Sequence, residues 1–157
     1  MDINKDLLAP CGLYCGVCGV YIATKDNNTR FKELLLDMYQ RSMSGLDQCT
    51  IRDVECEGCL SDRKSIFCSY CTIRNCVAEK GYEGCHQCAE FPCNYIDTFP
   101  IPVGKKVILR AIPYWREQGT EKWAHDEEAR YVCPTCGNHL FRGAKRCNKC
   151  KTSVDLD

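Results

Sequence analysis

The chain has 157 residues, 45% of them apolar only because sixteen cysteines are counted in, and its 21 basic and 21 acidic side chains cancel. Without the cysteines about a third of the chain is apolar, thin for a self-sufficient core, so sulfur must supply the staples. The start has no basic segment or long apolar run and is cut short by Pro10, and no window approaches the roughly 20 apolar residues of a membrane span. These features predict a cytoplasmic protein with reduced thiols and argue against a disulfide scaffold or a membrane protein.

Cys11, Cys15 and Cys18 come first. Their C-x3-C-x2-C spacing also holds the [4Fe–4S] cluster of radical enzymes that use S-adenosylmethionine. Here, however, Val17 stands where those enzymes carry an aromatic, and their glycine-rich cofactor motif is missing. A helix from about Val17 to Thr24 would aim its N-terminal amides at these thiolates. Phe31, Leu34, Leu35, Met38 and Tyr39 then repeat at helical spacing, with Asn28 or Thr29 as cap and Gly45 as stop.

Residues 46–93 hold no sustained period, so metal knuckles and short turns should set their shape. They carry Cys49, Cys56, Cys59, Cys68, Cys71, Cys76, Cys85, Cys88 and Cys93. Clustered cysteines in a reducing compartment point to metal. In sequence order, Cys56, Cys59, Cys68 and Cys71 form one four-thiolate set. Cys76, Cys85, Cys88 and Cys93 form a second, and Cys11, Cys15, Cys18 and Cys49 a third, although the groups can interleave. Zinc is the expected ion. A [4Fe–4S] cluster in this N-terminal part is the alternative, even though no group shows the bacterial or plant ferredoxin spacing.

Beyond residue 94, Val107, Ile108, Ala111, Ile112 and Trp115 make one apolar helical face. Pro113 should kink that helix or end it near Ile112. Thr120 is expected to cap a short helix carrying Trp123 and Ala124. Near residue 130 the pattern changes, which divides the chain into a cysteine-rich metal-binding domain (1–130) and a zinc ribbon (131–157).

In the last part Cys133-Pro-Thr-Cys136-Gly137 and Cys147-Asn-Lys-Cys150 are two thiolate hooks ten residues apart. Two intervening residues let a tight turn point both sulfurs at one ion, and two hooks complete the closed tetrahedral site zinc prefers. Gly137 suits a left-handed backbone; Lys151 replaces it in the second hook. A short hairpin between the hooks would make this a β zinc ribbon. It is basic, with five cationic against two acidic residues over 131–157. Phe141 is a candidate to stack on a base, although a solvated structural site is the plainer expectation.

The run Cys11-Gly-Leu-Tyr-Cys15-Gly-Val-Cys18, Cys56-Glu-Gly-Cys59, Cys71-Thr-Ile-Arg-Asn-Cys76 and Cys85-His-Gln-Cys88-Ala-Glu-Phe-Pro-Cys93 resembles an uncharacterised cysteine-rich bacterial and archaeal family classed as a domain of unknown function. Several members resemble this chain in having a trailing ribbon. The resemblance implies metal binding and a prokaryotic source, and it brings no catalytic residue.

The expected fold class is therefore α+β: a small, metal-stabilised, cysteine-rich helical domain followed by a β zinc ribbon. The expected function is binding or regulation on several zinc ions, with a protein partner ahead of nucleic acid. The alternative is an iron–sulfur electron-transfer or sensor protein. No residue pattern establishes catalysis. His86, His125 and His139 read as surface residues, and Glu127 and Glu128 as a solvated face. Tyr14, Tyr21, Tyr70, Tyr82 and Tyr95 read as packing around metal sites.

Overall fold

The computed structural model describes residues 2–157. Its described elements are α1 (Gly19–Lys25), α2 (Thr29–Ser42), α3 (Ile51–Val54), α4 (Ile66–Ser69), α5 (Thr72–Glu79), α6 (Asn94–Asp97), α7 (Pro102–Gln118) and α8 (Thr120–Arg130). Single 3-10 turns lie at Lys5–Leu7, Cys15–Val17 and Cys85–Gln87. No helix is long and apolar enough to cross a membrane.

The α+β expectation and its β ribbon are overturned. Among the described residues the only β pairings are two isolated bridges, Val132 with His139 and Arg146 with Ser153. Beyond the Leu140 N–H bond to Tyr131 O at 2.8 Å the ladder stops, because the next residues spend their N–H groups elsewhere. Arg142 N–H donates to Val17 O at 2.8 Å and Ala144 N–H to Phe141 O at 3.1 Å. Gly143 N–H donates to Asp157 Oδ2 at 2.9 Å.

Helix α2 starts where Asn28 accepts from Phe31 N–H at 3.0 Å. Leu35 is its buried apolar anchor, while Leu34 and Met38 are exposed at 59% and 48%. The same helix buries Lys32, whose ammonium meets Glu55 at 2.8 Å. Helix α7 carries the apolar face read from the sequence, with Val107, Ile108, Ala111, Ile112 and Trp115 all buried. It neither ends nor breaks at Pro113. The carbonyl that Pro113 cannot bond belongs to Leu109, a residue 40% exposed on the outer side of the helix.

Gly119, at φ 83°, turns the chain into α8, so Thr120 is the first helical residue and not the cap. Its hydroxyl instead accepts from Trp115 Nε1 at 3.0 Å. Trp115 and Trp123 stack with ring centroids 3.9 Å apart, Tyr14 meets Trp123 edge-on at 6.0 Å, and His86 covers Trp115 at 3.9 Å. This aromatic column is the centre of the larger core, which also takes in Cys11, Cys59 and Cys85. His86 is thus half-buried against the core, its side chain 12% exposed. Glu127 is likewise buried, held in a two-point pair by Arg110.

Candidate metal centres

The C-terminal hooks are built alike. Cys133 N–H donates to Asn138 O at 2.8 Å and Gly137 N–H to Cys133 O at 2.9 Å. In the second hook Cys147 N–H donates to Thr152 O at 2.9 Å and Lys151 N–H to Cys147 O at 3.0 Å. Gly137 and Lys151 both sit in the left-handed region, at φ 70° and 65°, so the lysine adopts a backbone that suits glycine. The sulfurs of Cys133 and Cys150 are 3.6 Å apart, and those of Cys136 and Cys147 are 3.7 Å apart. Four thiolates about 2.3 Å from one zinc ion stand about 3.8 Å from each other, so the four sulfurs have the size of an ion site.

The local electrostatics prepare some of these sulfurs to ionise. Backbone N–H groups of Cys150 and Lys149 hold the Cys147 thiol below its ordinary value. The hydroxyl and N–H of Thr152 hold Cys150 down, to about 6. Cys136 is pulled down by the Asn138 N–H, but burial and its sulfur neighbours outweigh that and push it up to about 11. Four sulfurs this close cannot all ionise without a cation among them.

The twelve N-terminal cysteines are arranged differently. Among the described residues, the C-terminal four are the group of three or more whose ligand atoms all lie within 4.8 Å of one another. Burial is the largest influence on Cys11, Cys15, Cys59 and Cys68, and it pushes each thiol up, Cys68 to about 12. The Leu13 backbone N–H holds Cys11 down in part, while other thiols add to the rise: Cys59 and Cys71 for Cys11, Cys18 and Cys59 for Cys15, and Cys18, Cys59 and Cys56 for Cys68. Cys59 bears on the thiols of Cys11, Cys15 and Cys68 alike.

The hook from Cys56 to Cys59 is pinned to the N-terminal segment by its backbone. Leu60 N–H donates to Asp6 O at 3.1 Å. Gly58, at φ 127°, lies so close that an added Cβ would come within 2.4 Å of the same oxygen. Gly58 N–H also donates to Cys56 Sγ at 3.4 Å. Cys49 packs in none of the three hydrophobic clusters. It lies half-buried after α2, where its N–H donates to Leu46 O at 3.0 Å and its carbonyl accepts from Gln40 at 3.4 Å.

Cys76, Cys85, Cys88 and Cys93 line one cavity of about 330 Å³. Burial pushes Cys85 up to about 12, and Cys93, Cys88 and Cys76 are the next contributors. Tyr82 and Tyr95 lie on the wall, while Tyr70 points away at 90% exposed. His125 and His139 are exposed and join no site.

Three cations beside the thiols were not legible in the sequence. Arg74 Nη1 donates to Cys68 O at 2.7 Å and lies 3.8 Å from Cys59 Sγ. Lys80 Nζ is 3.5 Å from Cys88 Sγ and also pairs with Glu90. Arg142 crosses from the C-terminal hooks and donates to Tyr14 O at 2.6 Å. Burial opposes its charge, but the thiols of Cys18, Cys15 and Cys11 and the phenol of Tyr131 hold it on. Only the i+3 placing of Arg74 after Cys71 and the i+4 placing of Lys80 after Cys76 could have hinted at two of them.

Sixteen unpaired thiols on short helices and hooks, four of them closed to the size of one ion, define a cysteine-rich protein able to hold metal. The chain belongs to a family described as Protein of unknown function (DUF3795), whose model matches residues 7–98. That segment contains all twelve N-terminal cysteines and stops before α7, α8 and the C-terminal hooks. Neither the curated proteins nor the solved structures contain a match.

Proposed function

We propose that this chain is a multi-centre metal–thiolate protein that serves as a binding or regulatory module, with zinc closing its C-terminal site. The observation that carries this reading is the pair of sulfur separations, 3.6 and 3.7 Å, across Cys133, Cys136, Cys147 and Cys150. Four thiolates fill the coordination sphere and leave no open position for a substrate, which is the pattern of a structural zinc.

A protein partner is favoured over nucleic acid. Phe141 packs against Phe31 at 5.1 Å and is not free to stack on a base. The exposed Leu34 and Met38 of α2 instead offer apolar surface. Metal analysis of freshly purified, anaerobic protein tests the first part: one zinc should be lost in Cys147→Ser and kept in Cys85→Ser. A wild-type chain without tightly bound zinc sinks the reading. Titration with single- and double-stranded oligonucleotides tests the second; tight, salt-sensitive binding would reverse the choice of partner.

A further inference from the structure

We propose that Cys76, Cys85, Cys88 and Cys93 hold a [4Fe–4S] cluster in the cavity they line, with Lys80 as the cation at its edge. The inference deepens the reading above and rests on its premise that the N-terminal thiols bind metal.

Geometry separates these four from the C-terminal four. One ion draws its four thiolates to about 3.8 Å from each other, which leaves no space inside the tetrahedron. Here no three of the four sulfurs lie within 4.8 Å of one another, and the four cysteines line a partly open cavity of about 330 Å³. At about 30 Å³ per water, that volume corresponds to roughly ten water molecules, far more than a bare ion needs. In a four-iron cube each thiolate binds a different iron, so the sulfurs stand apart around a core of several atoms.

The walls suit such a core. Ile73, Val77 and Ile96 are buried apolar residues on α5 and α6, and Phe91 packs against the same cluster. Thiolates and sulfide give the cluster a net negative charge, and Lys80 Nζ stands 3.5 Å from Cys88 Sγ to offset it. The ligand order C-x8-C-x2-C-x4-C matches neither ferredoxin run, so spacing alone does not reveal it.

Iron, zinc and acid-labile sulfide are to be measured on the anaerobically purified full chain. The expected result is about four irons and as many sulfides beside the zinc, with a brown absorption that dithionite bleaches. In Cys85→Ser/Cys88→Ser the iron and sulfide should be lost and the C-terminal zinc kept. Because that variant removes core sulfur, Lys80→Gln provides a second reading with all four thiols intact. It should keep its iron and show a more negative reduction potential. Zinc at these thiols with no sulfide overturns the cluster but leaves the metalloprotein reading standing. A metal-free N-terminal part overturns both. Full iron in the double variant, or an unmoved potential in Lys80→Gln, overturns the placement of the cluster.

Discussion

Residues 131–157 and residues 11–93 fix their cysteine hooks in opposite ways. The C-terminal hooks close on their own backbone, each by a bond from its first cysteine to a residue five positions on. Their sulfurs come to ion-site distance, although the loop between the hooks is tied to Val17 and Tyr14. The N-terminal hooks are seated on distant chain: the Cys56–Cys59 hook on Asp6, and Cys85 N–H on Pro10 O at 2.8 Å. A local site is specified by spacing, whereas a tertiary site is specified by whatever packs behind it. The first should therefore be sensitive mainly to its metal, and the second to its core.

The largest test of that contrast is Cys147→Ser. A structural zinc carries roughly 10–16 kcal/mol of apparent binding energy at neutral pH, and the C-terminal hydrophobic cluster is small. The variant should lose one zinc and the amide protection of residues 133–154, while α7 stays protected in hydrogen exchange. Equal loss of protection in α7 would show that the two regions are one cooperative unit.

Next in size is Trp115→Ala. It empties the middle of the aromatic column and should cost about 3–5 kcal/mol in chemical denaturation. Its C-terminal zinc content should be unchanged; a drop in that zinc breaks the contrast from the other side.

Arg142→Met addresses the joint between the regions. It leaves Tyr14 O without its side-chain donor and removes a cation from the Cys11, Cys15 and Cys18 thiols. A loss of about 1–3 kcal/mol is expected, with faster amide exchange over residues 14–18. The smallest effect is a gain. Lys151→Gly should stabilise the second hook by about 0.5–1 kcal/mol, because glycine relieves the left-handed strain at φ 65° and gives back part of it in chain entropy. A fall in stability would mean that the Lys151 Nζ bond to Asn148 O, at 2.6 Å, outweighs the backbone strain.

The two regions were unequally legible in the sequence. The C-terminal four-sulfur group could be read because hook spacing, and little else, determines it. The α7 face could be read because its period is carried by five apolar residues in a row of turns. The missing sheet could not be read, since it depends on where Arg142, Gly143 and Ala144 send their N–H groups, and two of those partners lie far away in sequence. His86 was expected to turn outward, as the middle of a hook usually does. Arg116 reverses that by binding His86 O and Cys88 O at 2.8 and 3.0 Å, which draws the hook onto α7 and the imidazole onto Trp115. Lys32 and Glu127 were hidden for the same reason: each looks like a surface charge until its distant partner, Glu55 or Arg110, is brought to it.

The stacked indoles also give the protein a built-in optical gauge. Trp115 and Trp123 are its two tryptophans, and both are shielded from water. One face of the pair rests on the residue after Cys85, and the edge of the other meets the residue before Cys15. Emission colour and near-ultraviolet dichroism therefore register any loosening of either thiol-bearing segment, with no label attached. An iron-containing group behind Cys85 would quench that emission as it is loaded, so filling the cavity and tightening the column can be followed in one cuvette.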